Sequence, residues 1–163
     1  MASSASTAVV VPAHNEEDGL PVVLEDLFKC IEDGCEVIVI DDGSTDRTAQ
    51  VASRFPCRLV RHEMNRGKGE ALITGIRCAR GANVISIDAD GTYPAEMVPL
   101  ISHALQFYDM VIGSRVLGKE NIPPFNRFGN VVLRTLIRRV YGFGPQDPLT
   151  GPVSYTHLRA HET

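Results

Sequence analysis

The 163-residue chain predicts an α/β fold with a mostly parallel, Rossmann-like sheet, and three observations carry that prediction. Residues 8–11, 36–40 and 84–87 form near-continuous apolar runs rich in Val and Ile, the pattern of strands covered on both faces. Each run ends in a polar, turn-forming cluster: Pro12-Ala13-His14-Asn15-Glu16-Glu17, Asp41-Asp42-Gly43-Ser44-Thr45-Asp46 and Asp88-Ala89-Asp90-Gly91. Between the runs lie segments whose apolar residues recur every three or four positions, as on one face of a helix. Open α/β sheets bind ligands beyond the carboxyl ends of their strands, so the three clusters are expected to meet at one edge.

The elements follow in order. After the first strand, Asp18 is placed to cap a helix with Pro21 in its first turn, where a missing N–H does no harm, and Leu20, Val23, Leu24, Leu27, Phe28 and Ile31 give its apolar face. The second strand, Glu36-Val37-Ile38-Val39-Ile40, leads to Ser44, the expected cap of a short helix reaching Arg54. A third strand is read at residues 57–60. Lys68-Gly69-Glu70 opens the next helix, with Leu72, Ile76 and Ala79 on one face. The fourth strand runs into Asp88 and Asp90. Pro94 suits a first helical residue, followed by the stripe Met97, Val98, Ile101, Ala104 and Leu105. A fifth strand at residues 109–113 ends in Ser114-Arg115. This alternation predicts right-handed βαβ units in a single domain.

From residue 121 to 146 there is no acidic residue but four arginines, Arg127, Arg134, Arg138 and Arg139. Phe128, Val132, Leu133, Leu136, Ile137 and Val140 fall on the other side of that helical pattern. Such a helix either lies at an anionic membrane surface or packs on further C-terminal sequence. The last segment, residues 153–163, resembles translated sequencing-adapter sequence and is set apart from the fold. The expected division is therefore a catalytic domain at 1–152, with the natural protein continuing beyond it, and a non-native tail at 153–163. The spacing of His157 and His161 in that tail is not read as half of a zinc site.

Composition narrows the function. Hydrophobic residues make up 44% and charged residues 22% of the chain, an ordinary globular balance. A formal net charge of -4 gives no support for nucleic acid as a partner. The four cysteines show no CxxC spacing, as expected of buried thiols in a reducing compartment. No apolar run is long enough to span a bilayer.

In extended backbone Asp88 and Asp90 would project to one side while Ala89 points away. Two carboxylates on one face suit Mg²⁺ or Mn²⁺, which prefer carboxylates together with substrate phosphates. Taken alone, the segment reads equally as a turn after a strand. Gly67-Lys68-Gly69 lacks the third glycine of a dinucleotide fingerprint and the Ser/Thr of a P-loop, so neither is inferred. A sugar-1-phosphate nucleotidyltransferase would open with a Gly-rich, Arg-containing loop, which residues 12–16 lack. His62 and His103 are read as structural or exposed.

The five ordered motifs Val11-Pro12-Ala13-His14-Asn15-Glu16-Glu17, Asp41-Asp42-Gly43-Ser44-Thr45-Asp46, Asn65-Arg66-Gly67-Lys68-Gly69, Asp88-Ala89-Asp90-Gly91 and Gly113-Ser114-Arg115 resemble those of family-2 glycosyltransferases. The similarity is to the branch that moves hexoses onto dolichyl or polyprenyl phosphate. It implies a nucleotide-diphospho-sugar transferase, or A-type glycosyltransferase, fold, here C-terminally truncated. It also implies a nucleoside diphosphate sugar donor, a lipid-phosphate acceptor, a Mg²⁺ or Mn²⁺ cofactor and inversion at the anomeric carbon. The expected location is cytoplasmic, at the cytoplasmic face of a membrane.

Residue by residue, the resemblance sets Pro12, His14 and Glu16 against the nucleotide, Ile40 and Asp42 at the base or ribose, and Lys68 in the nucleotide-sugar site. Asp88, Ala89 and Asp90 match the DxD motif, with Asp88 and Asp90 as metal ligands and Asp90 the direct one. Arg115 and Arg127 match phosphate-neutralising arginines. Asp147, in Asp147-Pro148-Leu149-Thr150-Gly151, matches the acidic segment beside the acceptor, as base for a hydroxyl acceptor or as an orienting group for a phosphate. The plainer reading of Glu16 and Asp42 is helix-capping carboxylates, and of Arg115 a surface ion-pair residue. A nucleotide-sugar-binding chain without turnover is the remaining alternative.

Overall fold

The structure, a computed structural model, describes residues 6–113, Arg139 and residues 153–156. The chain divides into two compact units, one of residues 1–111 with 152–163 and one of residues 112–151. Nearly all of the second, including Arg115, Arg127 and Asp147, lies outside the described residues.

The first unit carries β1 (Thr7–Ala13), β2 (Glu36–Asp41), β3 (Arg58–Arg61), β4 (Asn83–Ser86), all but the last residue of β5 (Met110–Ile112), and β6 (Val153–Thr156). Its helices are α1 (Gly19–Cys30), α2 (Thr48–Ala52), α3 (Lys68–Cys78) and α4 (Met97–Ala104). The sheet order is β3-β2-β1-β4-β6-β5. β3, β2, β1 and β4 are parallel along their shared edges, with Val11 opposite Val39 and Val9 opposite both Val37 and Ile85.

The β-branched runs form strands because both of their faces are buried. Val9, Val11, Val37, Val39 and Ile85 pack on one side with Leu20, Leu24 and Leu27 of α1, Val51 of α2, and Val98 and Ile101 of α4. Ala8, Val10, Ile38, Ile40 and Val84 pack on the other with Ala71, Leu72 and Ile76 of α3. Each fully buried Val, Leu or Ile contributes about 1.5–3 kcal/mol, so this core fixes the sheet edge on which the loops sit.

Three local expectations change. Ser44 does not cap α2: Asp46 Oδ1 accepts the Thr48 N–H at 2.9 Å instead, because the chain turns at Gly43 and starts its helix later. Asp18 holds the position before α1 without a side-chain bond. Pro94 lies in a tight turn ahead of α4, its carbonyl accepting the Met97 N–H at 3.2 Å.

Val153–Thr156, set apart by the sequence reading, forms β6 and pairs antiparallel with β4, Val84 opposite Tyr155. Val, Tyr and Thr favour extended backbone, and backbone pairing along the edge of β4 demands little else of a sequence. All four cysteines are free and half-buried. Burial, reinforced by the charges of Glu32 and Glu36, pushes the Cys35 thiol up to about 11, so it is an inert thiol.

Candidate functional site

The order of the parallel strands reverses between β1 and β4, and at such a point the loops leaving the two strands part to open a crevice. A cleft of about 230 Å³ lies there, lined by Pro12, Ala13, His14, Glu16, Asp42, Asn65, Lys68, Ala71, Asp88, Ala89 and Asp90. A separate cavity of about 260 Å³ at the amino ends of the strands, beside Thr7, Asn83 and Ser102, contains none of the predicted site residues.

The loop after β1 is pinned to the loop after β2 one backbone group at a time. Asn15 N–H donates to Ser44 Oγ at 2.9 Å, Glu16 N–H to Thr48 Oγ1 at 2.8 Å and Glu17 N–H to Asp46 Oδ2 at 3.1 Å. Asn15 takes a left-handed conformation, φ 55°, which Asn tolerates better than most residues, and its Oδ1 accepts the Thr45 N–H at 2.9 Å. Glu17 receives Arg47 through the backbone N–H at 2.9 Å and Nε at 3.0 Å.

His14 Nδ1 lies 2.8 Å from the Asp42 carbonyl, which can only accept. The proton therefore sits on Nδ1, leaving Nε2 to accept the Asn15 amide at 3.3 Å. Asp41 is fully buried. Its Oδ1 accepts the Ser44 N–H at 2.9 Å, and Arg61 Nε lies 3.0 Å from Oδ2 without the alignment of a hydrogen bond.

The third wall is the loop into α3. Asp42, almost fully buried, accepts the Arg66 N–H at 3.0 Å, the Gly67 N–H at 2.8 Å and His62 Nδ1 at 2.6 Å. Burial acts to raise its pKa, but these three donors outweigh it and hold the carboxyl below its ordinary range. Gly43, at φ +68°, leaves no room for a Cβ against the Met64 and Asn65 backbone, so the two loops pass in direct contact.

The fourth strand ends at Ser86, and Ala89 and Asp90 form a turn. The strict alternation expected through Asp90 therefore stops early, and the turn brings both carboxylates to the cleft in unequal settings. Asp88 Oδ1 lies 2.6 Å from Lys68 Nζ. Asp90 Oδ1 accepts the Thr92 N–H at 2.9 Å. Burial acts to raise Asp90, and the Thr92 hydroxyl and N–H together with the charge of Lys68 overcome it, leaving its pKa lowered. On the far side of the turn, a Cβ on Gly19 would lie 2.8 Å from the Ala89 carbonyl and 3.1 Å from Glu16 Oε2. The start of α1 thus packs directly on the acidic turn.

Glu16 shows the potential inside the cleft: its pKa is raised by burial first, then by the negative charges of Asp90, Asp46 and Asp88. Hard oxygen donors in surplus negative potential fit a divalent cation. Among the described residues no group of three or more His, Cys, Asp or Glu is arranged to hold a metal. A cation here would have Asp88 and Asp90 from the protein and complete its shell with phosphate and water, as Mg²⁺ commonly does.

Pro12, His14, Glu16, Asp42, Lys68, Asp88, Ala89 and Asp90 are therefore brought together, as expected. Ile40 is not. It is fully buried against Ala71 and Ile38 on the α3 face, because its register opposite Pro12 turns its side chain into the core. Asn65, which its motif alone does not single out, also lines the cleft.

A model of the family described as glycosyl transferase family 2 matches residues 8–157. The chain belongs to that family. A dolichyl-phosphate hexose transferase of Haloferax volcanii is 33% identical to it, over 95% of this chain and 68% of the relative. An undecaprenyl-phosphate 4-deoxy-4-formamido-L-arabinose transferase of Pectobacterium carotovorum is also 33% identical, over 87% of this chain and 46% of the relative. Glucosyl-3-phosphoglycerate synthase of Mycobacterium tuberculosis, solved with Mn²⁺, uridine diphosphate and glucosyl-3-phosphoglycerate, superposes with a TM-score of 0.76 at 27% identity. That match covers 94% of this chain and 57% of the synthase. The chain spans roughly half to two thirds of the length of these relatives. The fold is the A-type glycosyltransferase fold of family 2.

Proposed function

We propose that this family-2 domain transfers a hexose from a nucleoside diphosphate sugar to a polyisoprenyl phosphate, with inversion at the anomeric carbon and with Mg²⁺ or Mn²⁺ as cofactor. The observation that carries the reading is the gathering of Asp88, Asp90 and Lys68 in one cleft at the reversal point of the sheet. The Haloferax and Pectobacterium relatives, both named for lipid-phosphate acceptors, support the acceptor class. The Mn²⁺ and uridine diphosphate of the mycobacterial synthase complex support the donor and cofactor class.

Asp90, kept ionised by Thr92, and Asp88 are the residues that would hold the cation. When bound, the cation supplies Lewis-acid stabilisation of the charge that develops on the departing diphosphate. Lys68 is 65% exposed and Asp88 26% exposed. An ion pair so open to water is worth at most about 1 kcal/mol, so Lys68 can leave Asp88 for a donor phosphate at little cost. His14, with its proton fixed on Nδ1 and its Nε2 accepting the Asn15 amide, offers its ring to the nucleotide in this reading. Arg115 and Arg127 add positive charge to the phosphates in this reading.

A phosphate acceptor has a second pKa of about 6 and is mostly dianionic near neutrality, so its attack needs little help from a general base. Asp147 then orients the acceptor, and serves as base only toward a hydroxyl. The acceptor would reach the domain at the cytoplasmic face of a membrane. Among the described residues no helix is long and apolar enough to cross one.

Calorimetry tests the cation: Asp90→Ala should bind UDP- or GDP-sugar equally with Mn²⁺ or with chelator, a loss on the order of tenfold or more from the parent's Mn²⁺-supported affinity. Unchanged Mn²⁺ dependence would overturn the cation assignment. Transfer of a radiolabelled sugar to polyprenyl phosphate in vesicles tests the acceptor. Labelling of soluble saccharides or phosphoglycerate in its place would refute the lipid reading.

A further inference from the structure

His62 follows β3 and does not line the cleft, yet it is only 7% exposed. Its Nδ1 lies 2.6 Å from Asp42 Oδ1, and its Nε2 lies 3.0 Å from the hydroxyl of Thr74 on α3. A single ring proton satisfies both contacts: Nδ1–H donates to the carboxylate, and Nε2 accepts the Thr74 hydroxyl. The same carboxylate holds the Arg66 and Gly67 N–H groups. Gly67 is the residue before α3, where backbone N–H groups have no partner within the helix. Its neighbours on either side of the turn, Asn65 and Lys68, line the cleft, and Lys68 reaches Asp88.

We infer that His62 is a positioning residue of the donor site: through Asp42 it fixes the 65–68 segment that forms one wall of the cleft. The inference rests on the donor-binding reading given above. The physical argument is one of shared acceptors. Two oxygens of one buried carboxylate are divided between an imidazole and two backbone N–H groups, so the ring sets the plane of the carboxylate and the carboxylate sets the loop. The anchor at Thr74 ties that plane to α3, whose first residue is Lys68. Removing the ring leaves Asp42 held by the Arg66 and Gly67 N–H groups alone, so carboxylate and loop can shift together while the strands below remain packed.

Two substitutions of similar size separate this role from simple filling of space. His62→Asn places an amide near the position of Nδ1 and can keep the bond to Asp42, whereas His62→Gln extends toward the position of Nε2 and keeps only Thr74. In the full chain, His62→Gln should speed amide hydrogen exchange at Arg66 and Gly67 and raise donor KM, each by about tenfold, with kcat within about threefold of the parent. His62→Asn should restore both readouts to near parental values. Equal behaviour of the two variants, or parental exchange rates in a folded His62→Gln, would overturn the inference. If the parent binds no nucleotide sugar, the donor reading fails by itself and the exchange rates still decide the role of His62.

Discussion

Glu16 reports the electrostatics of the cleft more directly than the aspartates do, because burial and the charges of Asp90, Asp46 and Asp88 all push its pKa upward. Replacing Asp90 by Asn should therefore lower the pKa of Glu16, as followed by carbon-13 carboxyl titration. An unmoved Glu16 would mean that the two groups do not share a cavity. At this scale the sequence disclosed the residues that end apolar runs: Glu16, Asp88 and Asp90 stand where a buried strand gives way to a turn, and periodicity alone locates such places. It did not disclose Asp46 or His62. The contacts that join the loops, Asp46 with Glu17 and His62 with Asp42, span 29 and 20 residues, and no local pattern encodes a contact across that separation. Ile40 shows the converse, since a motif gives a position along the strand, whereas the sheet decides which face its side chain takes.

The loops after β1 and β2 behave as one element, and Asp46 is the joint between them. Asp46→Ala leaves the N–H groups of Glu17 and Thr48 without their carboxylate partner, and it should destabilise the domain by about 1–3 kcal/mol in urea denaturation. The same joint makes stability depend on pH. For both Asp42 and Asp46 burial acts to raise the pKa, but hydrogen bonds prevail: from His62, Arg66 and Gly67 at Asp42, and from Thr48 and Glu17 at Asp46. A carboxyl lowered in the folded state contributes stability that is complete above its unfolded value and is lost as pH falls through the folded one. The urea midpoint should therefore hold steady down to about pH 4 and decline below it, with a shallower decline in Asp46→Asn. Gly19 makes the corresponding joint between α1 and the Asp88–Asp90 turn. Gly19→Ala should displace that turn and weaken Mn²⁺-supported donor binding by roughly tenfold, measured by calorimetry.

For the molecule as a whole, the core strands β2, β1 and β4 were legible because strands buried on both faces read as near-continuous apolar runs. β6 was not legible. Its four residues carry no such run, and only backbone pairing along the edge of β4 places them. Deleting residues 153–163 should therefore leave β4 with an open edge, lower the urea midpoint and promote association detectable by light scattering. An unchanged midpoint would mean that β6 adds nothing to the stability of the sheet. The reversal of strand order between β1 and β4 has a broader consequence. The cleft is walled mainly by loops, whose exposed rim positions, apart from joints such as Asp42, Gly43 and Asp46, are less constrained by packing than the strands below. Selection can then retune what the cleft accepts by rewriting a handful of rim positions, while the hydrophobic platform is inherited intact. What the cleft accepts and how the chain folds thus become partly separable traits of one polypeptide.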